Sequence, residues 1–354
     1  CTACDDKLDI VPLGKTTLDT VDDLETLLNQ TPLLYMEEND FEVLCNNQYC
    51  KWEGLPEYLS NPNSIIYALV TYDETVDRAN LVTSSSMYES LYSSINYMNV
   101  VISKAPDAGG DDAKRRQIIA EARVLRAWYH FLLVNMYAKQ YDESTAGELG
   151  GVPYVDNTDV SEQKTKRTVA EVYERILADC SDEVLADLVQ SHVSDPCRFG
   201  LDFGYGVRAR VLFQMKRYDE ALQYATRALQ VNNTIEDRST VAITGVWTLN
   251  ETAQNNYYAI WSDNSNLGDF YGVTVTPEVA ALISPDDYVN KYYNVSGVRA
   301  WDTPYPVLPD GCLQCQVSDI KYNLFGIRSE TMYYLAAECQ IRGGNIAAGL
   351  QQVD

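Results

Sequence analysis

Apolar positions along the chain take helical spacing in two blocks, and each block adjoins a stretch where the period lapses. The strongest signal lies within Lys114 to Tyr154. There Ile118, Ala122, Leu125, Tyr129, Leu132 and Met136 recur at three- and four-residue intervals, and Trp128, Phe131 and Val134 fill much of the remaining circumference. A helix apolar on nearly every side must be packed on several sides. Gly150-Gly151 and Pro153 then turn the chain.

Other elements follow from the same reading. Leu8 to Pro12 is extended and is broken by Pro12 and Gly14. Thr20 to Asn29 reads as a helix, with Thr20 as N-cap and Asp22 and Asp23 at its positive end. Ser86 to Lys104 carries Leu91, Ile95, Met98 and Ile102 on one face and is closed by Pro106 and Gly109-Gly110. Thr168-Val169-Ala170-Glu171 is a capping box that opens a helix expected to run through Leu188. Asp195-Pro196 separates it from a helix over Leu201 to Gln214.

Repetition enters next. Ala209, Phe213, Tyr218, Ala221, Ala225 and Ala228-Leu229 resemble a tetratricopeptide helix pair, in which small residues let antiparallel helices approach. A second copy stands 128 positions later, with Ala337, Ile341, Ile346, Gly349 and Leu350 in register with Ala209, Phe213, Tyr218, Ala221 and Leu222. Pairs flanking Pro106 and Asp195-Pro196 complete an expected set of four, stacked on a common core. The predicted fold is mostly α, a tetratricopeptide-like scaffold in one domain. Its expected divisions are an N-terminal segment (1–15), a loop-rich insert (33–79), helical repeats (84–231), a second loop-rich region (232–325) and the start of a last repeat (326–354). Within the second loop-rich region, Val241 to Leu249 and Tyr257 to Trp261 suit short strands. Thr276-Pro277-Glu278 starts a short helix, and Pro304, Pro306, Pro309 and Gly311 make a rigid turn-rich piece.

Composition narrows the function classes. The 354 residues are 46% hydrophobic and 22% charged, ordinary for a globular chain. A net charge of −24 offers no basic patch for nucleic acid. The 26 tyrosines, against 7 phenylalanines and 5 tryptophans, suit wet packing surfaces and ligand grooves alike. There is no apolar run of 18 residues to span a membrane. Thr2-Ala3 before Cys4 resembles the tail of a bacterial lipoprotein cleavage site, which would make Cys4 the lipidated first residue, with Cys1 the alternative mature end. Seven further cysteines cannot all pair internally. Cys312-x-x-Cys315 lacks the two extra ligands of a zinc site in a chain with only His130 and His192, so neither a metal nor a cofactor is expected. The calcium loop D-x-[DN]-x-[DN]-G is absent too.

The E-A-R-x-L-R-A-x-x-x-F-x-L-x-x-x-Y helix over Glu121 to Tyr137, followed by G-G-V-P, resembles the SusD/RagB family. Tyr88 to Asn99 is similar to that family's W-x-x-L-Y-x-x-I-x-x-x-N helix, with Tyr88 where tryptophan is usual. Arg167 to Asp179 and Ile327 to Glu338 resemble its other helix openings. The resemblance implies a repeat scaffold carrying a less regular ligand-facing region, held on the outer membrane by a lipid anchor. It implies a glycan or peptide ligand and a SusC-like TonB-dependent transporter as partner. The chain is short for the family and ends within the last repeat, which implies a fragment or a cleaved form. Asn46-Asn47 stands where acidic residues are common in the family.

Binding a sugar needs flat aromatic faces and convergent polar groups. Scaffold aromatics are consumed by packing, so the two irregular regions supply the candidates. One offers Trp52, Tyr67, Tyr72, Asp73, Arg78 and Asn80. The other offers Trp247, Trp261, Tyr271, Arg299, Trp301, Asp302 and Tyr305, with Trp301 foremost because it stands between two charged groups. Catalysis has little to work with: G-x-S-x-G, H-E-x-x-H and P-loop motifs are absent, and acidic pairs such as Asp286-Asp287 are expected by chance among 51 acids. A tetratricopeptide adaptor for protein partners is the remaining rival.

Overall fold

The computed structural model describes residues 18–29, 33–34, 60–64, 67–68, 71, 73–81, 85–159, 161–191, 198–237, 254–262, 274–275, 277–287, 293–294, 313–315, 322–323 and 325–353. The expected Val241 to Leu249 strand and Cys4 lie outside the described residues, as do Cys45, Cys50, Cys197 and Cys312.

Helix α1 (Val21–Leu28) opens on the expected cap, and reciprocal bonds between Thr20 and Asp23 make it a full capping box. Its start is pinned by Val21 N–H to the Gly109 carbonyl (2.8 Å) and Gly109 N–H to the Asp19 carbonyl (2.9 Å). A four-residue helix α2 (Arg78–Leu81) leads into α3 (Ser86–Lys104), which packs on α4 (Asp112–Tyr137). Ser85 and Asp111 cap these two long helices through the amides of Tyr88 and Lys114.

Helix α4 forms the centre. Ile118, Ala122, Leu125, Trp128, Tyr129, Phe131 and Val134 are buried, while Leu132 and Met136 are only half-buried. It also buries Glu121, Arg126 and His130. Burying a charge is tolerable only when it is paired and hydrogen-bonded, as Glu121 and Arg126 are, while His130 is buried neutral and hydrogen-bonded. Arg126 grips Asp179 with Nε (2.7 Å) and Nη2 (2.8 Å) and gives Nη1 to Asn99 Oδ1 (2.8 Å). Tyr154 adds its hydroxyl to Asp179 (2.5 Å). Glu121 takes two bonds from Arg198 (2.9 and 2.8 Å), which also reaches Glu25 of α1 (2.9 Å). The charged letters of the E-A-R-x-L-R-A motif therefore work within the scaffold.

The helix opened by the Thr168–Glu171 capping box ends sooner than its sequence pattern predicts. Helix α5 is Val169–Asp179, and a separate turn α6 (Asp182–Leu185) follows. The cause lies in other helices. Arg123 of α4 takes the Ala178 carbonyl (2.9 Å), and Arg208 takes those of Leu177 (3.1 Å) and Cys180 (2.9 Å). Carbonyls that continued helix would have satisfied are satisfied by guanidinium groups instead.

Helices α7 (Leu201–Gln214) and α8 (Tyr218–Val231) form the first tetratricopeptide-like pair, and α10 (Ser329–Arg342) and α11 (Ile346–Val353) the second. The 128-residue offset holds at the start of both helices. It also holds in the turn: Arg217 N–H bonds Leu212 O and Lys216 N–H bonds Phe213 O, while Asn345 N–H bonds Gln340 O and Gly344 N–H bonds Ile341 O. Both are Schellman caps, with the left-handed position held by Lys216 (φ 60°) in one and Gly344 (φ 89°) in the other. Helix α8 packs between α7 and α10, so the two pairs stack in succession.

Between α8 and α10 the described residues form short strands and a helical turn, α9 (Pro277–Ala280), which starts where its sequence places it. Strand β1 (Leu33–Leu34) precedes this region. Strands β2 (Asn256–Tyr258), β3 (Trp261–Ser262), β4 (Thr274–Val275), β5 (Tyr293–Asn294), β6 (Leu313–Cys315), β7 (Tyr322–Asn323) and β8 (Ile327–Arg328) lie within it or at its end. The single strand expected over Tyr257 to Trp261 is thus two, divided at Ala259-Ile260. They form sheets of order β1-β3-β7, β2-β8 and β4-β6-β5.

Candidate functional site

The segment leading to Trp261 is anchored with unusual completeness. Asn255 to Ile260 are all buried. Tyr258 packs on Phe199 (5.2 Å between ring centroids) and Phe203 (5.0 Å), and the Tyr257 hydroxyl donates to the Asn232 carbonyl (2.6 Å). Across from it, Trp128 of the central helix donates its indole N–H to the Phe325 carbonyl (2.7 Å).

Asn323 ties these strands together. Its Oδ1 accepts from the amides of Ile260 (3.0 Å) and Gly326 (2.9 Å). Its Nδ2 donates to Asn256 Oδ1 (3.0 Å) and the Tyr258 carbonyl (3.0 Å). Gly326 is required by close approach, because a methyl group there would overlap the Tyr258 carbonyl.

From this anchor β3 emerges, and Trp261 is its first residue. Trp261 pairs with Asn323 of β7 on one side and Leu33 of β1 on the other. One small sheet thereby joins both irregular regions of the sequence. Asn80 sits exposed on α2, with Nδ2 bound to Asp77 (2.6 Å); Arg78 begins the same turn. Asp73 is occupied by the amide (2.9 Å) and hydroxyl (2.6 Å) of Thr75, which hold its carboxyl below the usual range. Tyr67 lies in a short turn capped by Ser64. Trp52, Tyr72, Trp247, Tyr271, Arg299, Trp301, Asp302 and Tyr305 lie outside the described residues.

A concave feature lies elsewhere on the scaffold. Helix α7, strand β8 and α10 line an open cavity of about 290 Å³ formed by Arg210, Phe213, Arg328, Glu330, Thr331, Tyr334, Leu335 and Glu338. Arg210 adjoins Ala209, which repeat packing explains, and with Arg208 two positions away nothing in the sequence sets it apart. Among the described residues no three His, Cys, Asp or Glu side chains converge as a metal site. None of the described helices is long and apolar enough to cross a membrane.

The family model SusD-like_3, described as starch-binding associating with outer membrane, matches residues 8–199. Solved structures similar in fold include a SusD superfamily protein from Bacteroides thetaiotaomicron, at 16% identity and TM-score 0.71 over 94% of this chain and 79% of that one. A SusD-like carbohydrate binding protein from Bacteroides vulgatus matches at 16% identity and TM-score 0.68, over 94% and 74%. Surface glycan-binding protein A from Bacteroides uniformis matches at 15% and 0.66, over 94% and 80%. No curated protein matches the chain.

Proposed function

The chain belongs to the SusD-like family, and from that membership we propose that it captures a glycan at the outer-membrane surface and hands it to a SusC-like TonB-dependent transporter, without catalysing any reaction. Solved structures of similar fold carry glycan-binding and carbohydrate-binding names, which supports a binding role. Lipidation at Cys4 would hold the protein to the membrane.

The observation that carries the ligand assignment is the β1-β3-β7 sheet. It brings the start of the first irregular region beside Trp261, at the edge of a buried, heavily hydrogen-bonded anchor. A rigid base with loops above it is the usual arrangement of a ligand site, since loops vary while the scaffold holds them in place. The residues proposed to contact the glycan are Trp52, Tyr72, Arg78, Asn80, Trp261, Arg299, Trp301, Asp302 and Tyr305.

Two measurements test this reading. Affinity electrophoresis of the full chain against a panel of neutral polysaccharides should retard the wild type, and Trp301→Ala and Trp261→Ala should each weaken retention by about tenfold or more, as expected when a stacking aromatic is lost. Binding unchanged in both variants would overturn the site. Purification of the tagged full-length protein from detergent-solubilised native outer membranes should recover a large β-barrel transporter in stoichiometric amount; recovery of the protein alone from that fraction would overturn the delivery role.

A further inference from the structure

The cavity between α7 and α10 has an unbalanced set of side chains. Arg210 makes no hydrogen bond, ion pair or ring contact with any described residue, whereas Arg208, two positions earlier on α7, binds the Leu177 and Cys180 carbonyls. Solvent reaches Arg210, yet burial holds its guanidinium below the usual arginine value. Arg210 therefore lines the cavity with its guanidinium open to solvent. Arg328, half-buried at the mouth of α10, likewise has no side-chain partner among the described residues.

The two carboxylates lining the cavity are already engaged. Glu338 is paired with Arg342 (2.6 Å), and Glu330 accepts from Asn255 Nδ2 (2.6 Å). Neither carboxylate forms an ion pair with Arg210 or Arg328, so both guanidinium groups keep open donors. An unpaired guanidinium in such a place is an electrostatic vacancy for an anion, and a planar carboxylate matches its fork.

The rest of the lining selects among carboxylates. Thr331 and Tyr334 offer hydroxyls, the free lone pairs of Glu330 and Glu338 can accept from further hydroxyls, and Phe213 and Leu335 supply apolar faces. Two acids on the rim disfavour a polyanionic peptide but suit a ligand with one negative charge and many hydroxyls. The volume, about 290 Å³, is at the small end for ligand pockets and suits a single ring. The position fits as well: α7 and α10 are the first helices of successive pairs, and repeat arrays bind along such surfaces.

We propose that this cavity is a subsite for a uronic-acid unit of a glycan, with Arg210 and Arg328 holding the sugar carboxylate and Thr331, Tyr334, Glu330 and Glu338 reading its hydroxyls. The assignment rests on the glycan-binding reading and narrows its ligand class to glycans that carry a uronic-acid unit among neutral sugars.

The test titrates the full chain with galacturonate and glucuronate, and with galactose and glucose as neutral parents, by isothermal calorimetry and saturation-transfer NMR. A uronate should bind at least about tenfold more tightly than its neutral parent, the margin of one charge-assisted pair. Arg210→Gln and Arg328→Gln should each erase that margin with unchanged far-UV circular dichroism, since neither side chain holds the fold together. Equal binding of uronate and neutral sugar overturns the proposal, as does a margin that survives both substitutions. Acetate or an acidic dipeptide competing as well as the uronate also overturns it, leaving a simple anion or peptide site. Neutral oligosaccharides binding without any uronate margin would remove the subsite alone; no binding of any glycan, neutral or acidic, would remove the glycan reading with it.

Discussion

His130 shows how one buried side chain sets a condition on the whole scaffold. Its Nδ1 lies 2.8 Å from the Arg126 carbonyl, which can only accept, and its Nε2 lies 3.0 Å from the Val155 amide, which can only donate. The pair of contacts fixes the neutral Nδ1–H tautomer, and burial pushes the pKa down to about 3. The ring stacks on Tyr154, whose hydroxyl reaches Asp179. Asp179 is held below the ordinary carboxylate range: burial alone would raise it, but hydrogen bonds and charge from Arg126, with Tyr154 and Arg123, outweigh that. Both folded values are depressed, so both groups act in the same direction. Below about pH 6.5 the unfolded chain takes up a proton on this histidine that the folded chain refuses, and near pH 4 it takes up another on the aspartate. Urea midpoints should therefore fall steadily from pH 7 to pH 5 and more steeply below pH 4. A His130→Gln variant, though less stable, should lose the upper part of that slope. An unchanged slope between pH 6.5 and 5 in the variant would refute the account.

At the scale of elements, one of the register positions where the two repeat pairs differ sets how closely their helices approach. Ala221 on α8 corresponds to Gly349 on α11. A β-carbon at Gly349 would lie 2.5 Å from Ile341 Cγ1 and 2.7 Å from the Ala337 carbonyl, so α11 rides closer to its partner than a methyl group allows. Alanine would gain up to about 1 kcal/mol in helix propensity. Overpacking against backbone costs about 1–3 kcal/mol, so Gly349→Ala should be destabilising on balance. Chemical denaturation checks this, and a more stable variant would mean the pair has room to spare. Much at this scale was legible beforehand. The Thr20 and Thr168 caps, the bounds of α7 and the 128-residue repeat are local or periodic signals, and they appear where the sequence places them. The end of α5 was not legible, because Arg123 and Arg208 reach its last carbonyls from distant positions. Neither was the cavity beside Arg210, since the lack of a partner is a property of the folded neighbourhood and not of a residue's sequence context. The break at Ala259-Ile260 was not legible either, because Asn323, which bonds the Ile260 amide and the Tyr258 carbonyl, is remote in sequence.

For the whole molecule, the geometry of the ligand-facing region depends on Asn323, whose four hydrogen bonds hold the strands beside Trp261 to one another. Asn323→Ala should leave the helical circular dichroism nearly intact while loosening the sheet around Trp261. The expected result is a loss of glycan retention together with faster proteolysis between residues 254 and 328. Retention equal to the wild type would show that the sheet does not set the geometry of the loops.

The β1-β3-β7 sheet also bears on how the molecule comes to be folded. The helix pairs are built from neighbours in sequence, so they close short loops and can form quickly. The sheet has to gather Leu33, Trp261 and Tyr322, which stand in three remote parts of the chain, and each closure costs entropy before it is rewarded. The ligand-facing surface is thus the last part of the molecule to mature, following a helical core that is already in place.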